Sequence, residues 1–483
     1  MPMRCGLRRA SPDVQNNLVA KRGLPLTWSN SVFARPRGHT NREGLVINAS
    51  NPLPPPDAPN AAESGNAGGI TGFLKRLGPG LITGAADDDP SGIGTHSQVG
   101  AQFGYGLSWT FVLSFPLMVA IQQVAAEIGR VTGAGIARNL RRHYPRPVLW
   151  SVVFLLLVAN IVNLGADLSA MGAALALLLG GNIVLYTLLF GIVCVGLEVA
   201  LSYPRYASIL KWTTLSLFTY VAVVAVAGVP WGRALRSLIV PEMQWNATYA
   251  TAFVAILGTT ISPYLFFWQA GQEVEEQHRH HAKPLCIAPK EAGPELSRIR
   301  TDTLTGMALS SIVSLAIVFA TAATLNANGI TDIATSAQAA EALRPIAGQF
   351  AFAMFALGII GTGLLAVPVL AGSAAYAVTE MAGIAGSLDA KPLSARLFYG
   401  TIAATTLAGA SLNGVGIDPV RALYWAAVVN GVLAAPLMFV MMLIVRNPRA
   451  MGRLTLPNGS TILGWTATVV MFAATIIFFA FVL

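Results

Sequence analysis

Long apolar blocks dominate this chain, and short polar stretches punctuate them. A bilayer-crossing helix needs about 20 predominantly apolar residues. Blocks on that scale recur over 77–103, 109–128, 150–171, 182–201, 212–229, 249–270, 304–325, 350–382, 397–412, 422–445 and 462–483. The pattern predicts an all-α polytopic membrane protein of about eleven transmembrane helices. The block from Phe350 to Ala382 holds Pro368 and several glycines and reads as one kinked span.

Two blocks are interrupted at their centres. The first contains Gly84-Ala85-Ala86-Asp87-Asp88-Asp89-Pro90-Ser91-Gly92-Ile93-Gly94. Proline lacks the amide donor and clashes with the preceding turn, so no unbroken helix is expected through Pro90. Asp followed by Pro is a helix start, with Asp at the N-cap and Pro at the first helical position. Two half-helices meeting at Asp89–Gly92 are therefore predicted. The second block contains Gly258-Thr259-Thr260-Ile261-Ser262-Pro263-Tyr264, with the same consequence at Pro263. Irregular backbone at membrane depth persists only where protein or a polar cavity surrounds it. One break in each half of the chain points to a transporter with its binding site at the bilayer midplane.

Composition agrees with this reading. The 483 residues are 54% hydrophobic and only 11% charged, against about 25% charged in soluble domains. The net charge of +9 is assigned to topology rather than to nucleic acid, because the basic residues gather in the N-terminal stretch and in loops on one side. Arg130, Arg138, Arg141, Arg142 and Arg146 form one such loop, Arg205 and Lys211 a second, and Lys283, Lys290, Arg298 and Arg300 a third. Basic loops lie in the cytoplasm, which puts the N-terminus there and predicts a multi-pass protein of the cell (inner) membrane. Residues 1–72 are rich in Pro, Asn, Ser and Arg and read as a disordered cytoplasmic tail. Cys5, Cys194 and Cys286 are too few and too scattered for a disulfide framework or a zinc site. The lipid bilayer is the one partner implied; nothing calls for an obligate protein partner.

Asp89 is the leading candidate for chemistry. An aspartate at the centre of a span costs about 2.5–3.5 kcal/mol on the insertion scale, so such a residue is read as functional. Its carboxylate, with carbonyls freed by the broken helix, makes an oxygen cage for a cation; the competing reading is a plain helix cap. Asp87 and Asp88 cannot all share one direction with Asp89, so at least one faces a vestibule or a basic group. At the second break Thr259 offers a carbonyl and Ser262 a hydroxyl, or both merely satisfy broken backbone. Tyr264, Trp268 and Gln269 follow on the second half-helix, where an aromatic is more often packing. Asp167 stands on the third span beside Asn160 and Asn163, as a coupling acid or a hydrogen-bonded structural one. Asn430 is a lone amide in the tenth span, for which helix–helix hydrogen bonding is the plain alternative. Glu273, Glu275 and Glu276 read as a solvated exit face, and His278, His280 and His281 as a solvated loop. No HExxH, nucleophile elbow or phosphate loop is present. The chain is read as no enzyme. An intramembrane aspartyl protease built on Asp89 and Asp167 is a distant alternative: it requires two acids sharing a proton, and neither lies in the Gly-x-Gly-Asp setting of such enzymes. A proton- or sodium-coupled carrier of amino acids or other small solutes is the nearer alternative, because the start of the second half-helix at Ser91–Gly92 suits a carboxylate; three neighbouring aspartates oppose it.

From about residue 75 to 450 the chain resembles the natural resistance-associated macrophage protein (NRAMP) family of divalent-metal transporters. Gly78-Pro79-Gly80 and Asp89-Pro90-Ser91-Gly92 stand where that family has Gly-Pro-Gly and Asp-Pro-Gly-Asn. Thr259 to Leu265 stand where it has Ala-x-x-Met-Pro-His-Asn, and the run from Gln123 to Gly133 is also similar. The resemblance implies a LeuT-type fold: two inverted five-helix repeats, over 73–229 and 230–446, then a loop and an eleventh helix over 447–483, with helices 1 and 6 broken. It places metal ligands at Asp89, Gly92, Thr259, Ser262 and Asn430, and coupling or pathway residues at Asp87, Asp88, Asp167, Tyr264 and Gln269. The departures matter. The family's asparagine ligand falls on Gly92, its methionine on Ser262 and its histidines on Tyr264 and Gln269. Thioether sulfur suits softer metals, whereas carboxylate, carbonyl and water suit magnesium, calcium and manganese. The chain is thus similar to the family's divergent magnesium-transporting branch, which implies Mg2+ or Mn2+ as cargo, no cofactor, and weak or no proton coupling.

Overall fold

The computed structural model describes residues 79–200, 218–413 and 418–482. The expected tail over 1–72, Gly78, Arg205, Lys211 and the first third of the fifth span lie outside the described residues. Within them the chain is helical, with no strand. The first apolar block is two helices, α1 (Pro79–Asp87) and α2 (Pro90–Phe103). Then come α3 (Trp109–Thr132), α4 (Ile136–His143), α5 (Arg146–Leu179), α6 (Ile183–Ala200), α7 (Phe218–Val226) and α8 (Trp231–Ile239). The sixth block is again two helices, α9 (Ala247–Thr260) and α10 (Pro263–Arg279). The remainder is α11 (Ala292–Thr324), α12 (Ser336–Glu341), α13 (Arg344–Ala347), α14 (Ala351–Ala382), α15 (Arg396–Leu412), α16 (Pro419–Val445), α17 (Pro448–Met451) and α18 (Asn458–Val482).

Eight helices among the described residues are long and apolar enough to cross a membrane, the second broken pair counting as one. The first broken pair, the described part of the fifth span and the 17-residue α15 fall below that length criterion and complete the predicted order. Pro368 sits inside α14, which remains one helix.

Both breaks have the predicted local chemistry. Asp89 adopts extended backbone (φ −71°, ψ 170°) and its side chain caps α2, with Pro90 in the first turn. At the second break Ile261 (φ −120°, ψ 63°) and Ser262 (φ −79°, ψ 126°) leave helical geometry before Pro263. Ser262 does not cap α10. Its Oγ donates backwards, to the carbonyls of Thr259 (2.9 Å) and Gly258 (3.1 Å), which the break leaves without helical amides.

Packing places the broken pairs at the centre. The most apolar stretch of α9–α10 is 94% buried, against 22% for α6 and 28% for α18. The peripheral helices turn large apolar side chains outward, among them Leu185 and Ile192 on α6 and Val469 and Ile476 on α18; in a bilayer these meet lipid. Glycine sets the closest approaches of the broken helices. A Cβ on Gly84 would stand 2.3 Å from the Gly306 carbonyl oxygen of α11, and one on Gly258 2.0 Å from the Ala427 carbonyl oxygen of α16. Small residues at such crossings let backbones touch where lipid supplies no hydrophobic drive.

Candidate functional site

Asp89 lies where α1 gives way to α2, and it is 1% exposed. Four donors converge on its carboxylate. Oδ1 accepts from Ser91 Oγ and from the Gly92 amide, both at 2.7 Å. Oδ2 accepts from Asn163 Nδ2 of α5 at 2.9 Å and from the Tyr264 hydroxyl of α10 at 3.2 Å. Hydrogen bonds from several directions hold a side chain in one geometry, so this set fixes the direction of the carboxylate.

Gly92 contributes an amide and a space. A Cβ there would lie 3.2 Å from Thr259 Oγ1, 3.3 Å from the Asp87 carbonyl oxygen and 3.5 Å from Asp89 Oδ1. The gap left by the absent side chain is therefore bounded by three oxygens drawn from both broken helices. Such a set is hard in the chemical sense and suits small, oxygen-seeking cations.

The other sequence candidates divide into those at this cluster and those away from it. Asn430 of α16 donates to Asn163 Oδ1 at 3.0 Å, and Asp167 accepts from Asn163 Nδ2 at 3.3 Å; both belong to the cluster, one residue removed from Asp89. Tyr264 touches Asp89 directly and also lies 3.0 Å from the Ala86 carbonyl, so its hydroxyl does more than pack. Thr259 faces Gly92 through Oγ1, while its carbonyl accepts from Ser262. The hydroxyl hydrogen of Ser262 is turned to backbone, leaving only its oxygen lone pairs for a ligand. Asp87 and Asp88 face α11 instead: Ser310 Oγ lies 2.7 Å from Asp87 Oδ2 and 3.2 Å from Asp88 Oδ1, and Ser314 Oγ 3.2 Å from Asp88 Oδ1. Gln269 is buried further along α10 and accepts from Thr83 Oγ1 of α1.

Sequence reasoning gave no role to Asn163, the residue that links Asp89, Asp167 and Asn430. The available signal was its spacing: Asn163 and Asp167 are four residues apart, hence on one face of α5. The expectation of a solvated acidic face is corrected for two of its three members. Glu273 and Glu275 are buried. Glu273 pairs with Arg298 at 2.7 Å, and Glu275 accepts from the Tyr376 hydroxyl at 2.6 Å and the Leu388 amide at 2.8 Å. Arg279 adds a pair to Asp389 at 2.7 Å. These contacts bind the far end of α10 to α11 and α14. At the opposite end a cavity of about 470 Å³ opens between α2, α9 and α16, lined by Gln98, Thr251, Asp332, Arg421 and Tyr424 among others. In the loop after α10, His280 is exposed and pairs with Glu276.

The arrangement defines a class: a multi-pass helical membrane protein in which two broken helices face each other across a buried carboxylate. The family follows from the sequence match: residues 80–481 fit the Nramp family, natural resistance-associated macrophage protein-like, and the chain belongs to it. Among its relatives, the divalent metal cation transporter MntH of Burkholderia ambifaria is 28% identical over 462 residues, 93% of this chain and 97% of that protein. The MntH of Klebsiella pneumoniae is 27% identical over 408 residues, 82% of this chain and 92% of that protein. In fold, the chain resembles the Eremococcus coleocola manganese transporter solved with an aromatic bis-isothiourea compound, with a TM-score of 0.68 at 14% identity over 84% of this chain and 86% of that one. It also resembles Mhp1, a nucleobase-cation-symport-1 family transporter, with a TM-score of 0.51 at 13% identity over 83% and 92% of the two chains.

Proposed function

We propose that this protein is a secondary transporter that carries divalent cations across the cell (inner) membrane, with Mg2+ or Mn2+ favoured and with weak or no coupling to protons. The observation that carries this reading is the oxygen-bounded space at Gly92, set against Asp89 where the two broken helices meet. No sulfur or imidazole stands among those oxygens, which favours hard ions over soft ones. That the MntH relatives are divalent metal cation transporters supports a divalent cation as cargo.

In this reading the segments 73–229 and 230–446 are the two repeats, and the cation is exposed to each side in turn as they move against one another. The cavity at the α9 end is the outer vestibule, and the Glu273–Arg298 and Arg279–Asp389 pairs close the cytoplasmic end. The basic loops support a cytoplasmic location for that end and for the N-terminus.

The test is uptake into sealed liposomes of Mg2+, Mn2+, Fe2+ and Ca2+, alone and in competition, by the wild type and by Asp89→Ala. Saturable Mg2+ or Mn2+ uptake that Asp89→Ala abolishes is expected; uptake indifferent to Asp89→Ala rejects the site. A pH-sensitive dye in the same vesicles reports coupling, and a proton flux that tracks metal uptake rejects weak coupling.

A further inference from the structure

The amide of Asn163 is engaged at both its nitrogen and its oxygen. Nδ2 donates to Asp89 Oδ2 at 2.9 Å and to Asp167 Oδ2 at 3.3 Å, and Oδ1 accepts from Asn430 Nδ2 at 3.0 Å. An amide NH2 has two hydrogens diverging by about 120°, one for each carboxylate, which sets the two acceptor oxygens roughly 5–6 Å apart. Both acids are buried, Asp89 at 1% and Asp167 at 0% exposure. Among the described residues neither joins an ion pair with Lys, Arg or His. An amide orients two carboxylates but brings no charge to offset theirs.

A separate observation concerns the atoms left over. Asp167 Oδ1 and Asn430 Oδ1 are buried and have no hydrogen-bond partner among the described residues. Buried acceptors are ordinarily satisfied, and an exception calls for an absent ligand or water. Both atoms are oxygens on residues bonded to Asn163, and both suit a hard cation.

We propose that Asp167 is the second carboxylate of the cation site, and that Asn163 is the positioning residue that fixes it at a set distance from Asp89. The inference rests on the reading of this cluster as the binding site of a divalent-cation carrier, and it deepens that reading. Two carboxylates match the charge of one divalent ion. Bonds from Mg2+ to oxygen run about 2.0–2.1 Å, so an ion bonded directly to both acids would need their oxygens within about 4.2 Å of each other. The two Oδ2 atoms held by Asn163 are spaced too widely to share one ion directly, so Asp167 offers its free Oδ1 to the ion or to a water the ion retains, with Asn430 Oδ1 as a neutral partner. Magnesium, which sheds water reluctantly, suits a shell of carboxylate, amide oxygen and water.

The experiment measures Mg2+ and Mn2+ binding to the purified full chain by calorimetry, alongside liposome uptake. Asp167→Asn is expected to weaken binding of both ions at least tenfold and to raise KM while leaving Vmax within about threefold; Asp167→Glu restores most of the loss. Asn163→Ala is expected to act in the same direction. Adding it to Asp167→Asn is expected to produce no further loss, because Asn163 acts through the pair. If Asn163→Ala does not fold, Asn163→Ser takes its place, and Asp167→Asn alone still decides. Binding by Asp167→Asn within twofold of wild type, with Asp89→Ala silent, overturns this inference and leaves the carrier standing. Undiminished binding by Asp89→Ala overturns the carrier site and this inference with it.

Discussion

The Tyr264 hydroxyl and the Asn163 amide approach Asp89 Oδ2 from two different helices. A hydrogen bond to a charged group contributes about 1.5–3 kcal/mol, so Tyr264→Phe is expected to weaken Mn2+ binding by roughly tenfold or more without unfolding the protein. Calorimetry on the purified variant checks this, and unchanged affinity makes Tyr264 a packing residue after all. Gly92 supplies the complementary case. Its Cβ position lies 3.2–3.5 Å from three oxygens, so Gly92→Ala places a methyl group in the space assigned to the ion. Uptake of both ions is expected to fall, more steeply for Mg2+ because it keeps more of its water; equal uptake by variant and wild type moves the ion elsewhere. At this scale Asp89 was legible, since a carboxylate next to proline inside an apolar block has few alternatives. Asn163 was not, because an amide on an apolar span reads the same whether it bonds to a neighbouring helix or to a ligand site. Asp87 and Asp88 were legible as a group but not in direction, which depends on Ser310 and Ser314, more than 200 positions away.

The two breaks are element-scale features, and each depends on one proline. Pro263→Ala restores an amide and removes the ring that excludes a continuous helix. The expected result is a protein that folds with near-normal thermal stability and loses most of its uptake, because Thr259 and Ser262 re-enter a regular helix. Retained uptake separates function from the break. Gly258 tests the packing of the same element. A side chain there meets the Ala427 carbonyl and the Gly431 backbone, and overpacking of this kind typically costs 1–3 kcal/mol, occasionally more. Gly258→Val is expected to lower the melting temperature measurably in detergent; an unchanged melting temperature contradicts the close α9–α16 crossing. Both helix breaks could be read from dipeptides, because Asp-Pro and Ser-Pro act through local backbone chemistry. The burial of Glu273 and Glu275 could not, since an acidic run looks solvated until Arg298, Tyr376 and the Leu388 amide are brought to it.

Across the whole molecule, the Asp89 cluster lies between a cavity at the α9 end and a belt of ion pairs at the α10 end. The alternating access proposed for this carrier requires that belt to open. Arg298→Ala leaves Glu273 buried without its partner, an arrangement that strongly destabilises the closed contact. The shifted balance is expected to expose the inner half of α10, so that a cysteine placed at Gln269 reacts faster with a water-soluble thiol reagent from the cytoplasmic side than it does with Arg298 intact. Equal rates rule out this belt as the closure.

Sequence by itself determined the class of this protein: an apolar chain in span-sized blocks, two of them broken by proline, with an acid at the first fracture. Those features are local or compositional, and the bilayer constrains them so tightly that few folds remain. Only the tertiary structure decided which polar groups meet. Asn163 with Asp89, Asn430 with Asn163, Ser310 with Asp87 and Arg298 with Glu273 are side chains far apart in the chain, brought together by helix packing. Because a buried polar atom takes its role from its partner, that role is a property of the assembled bundle rather than of the residue.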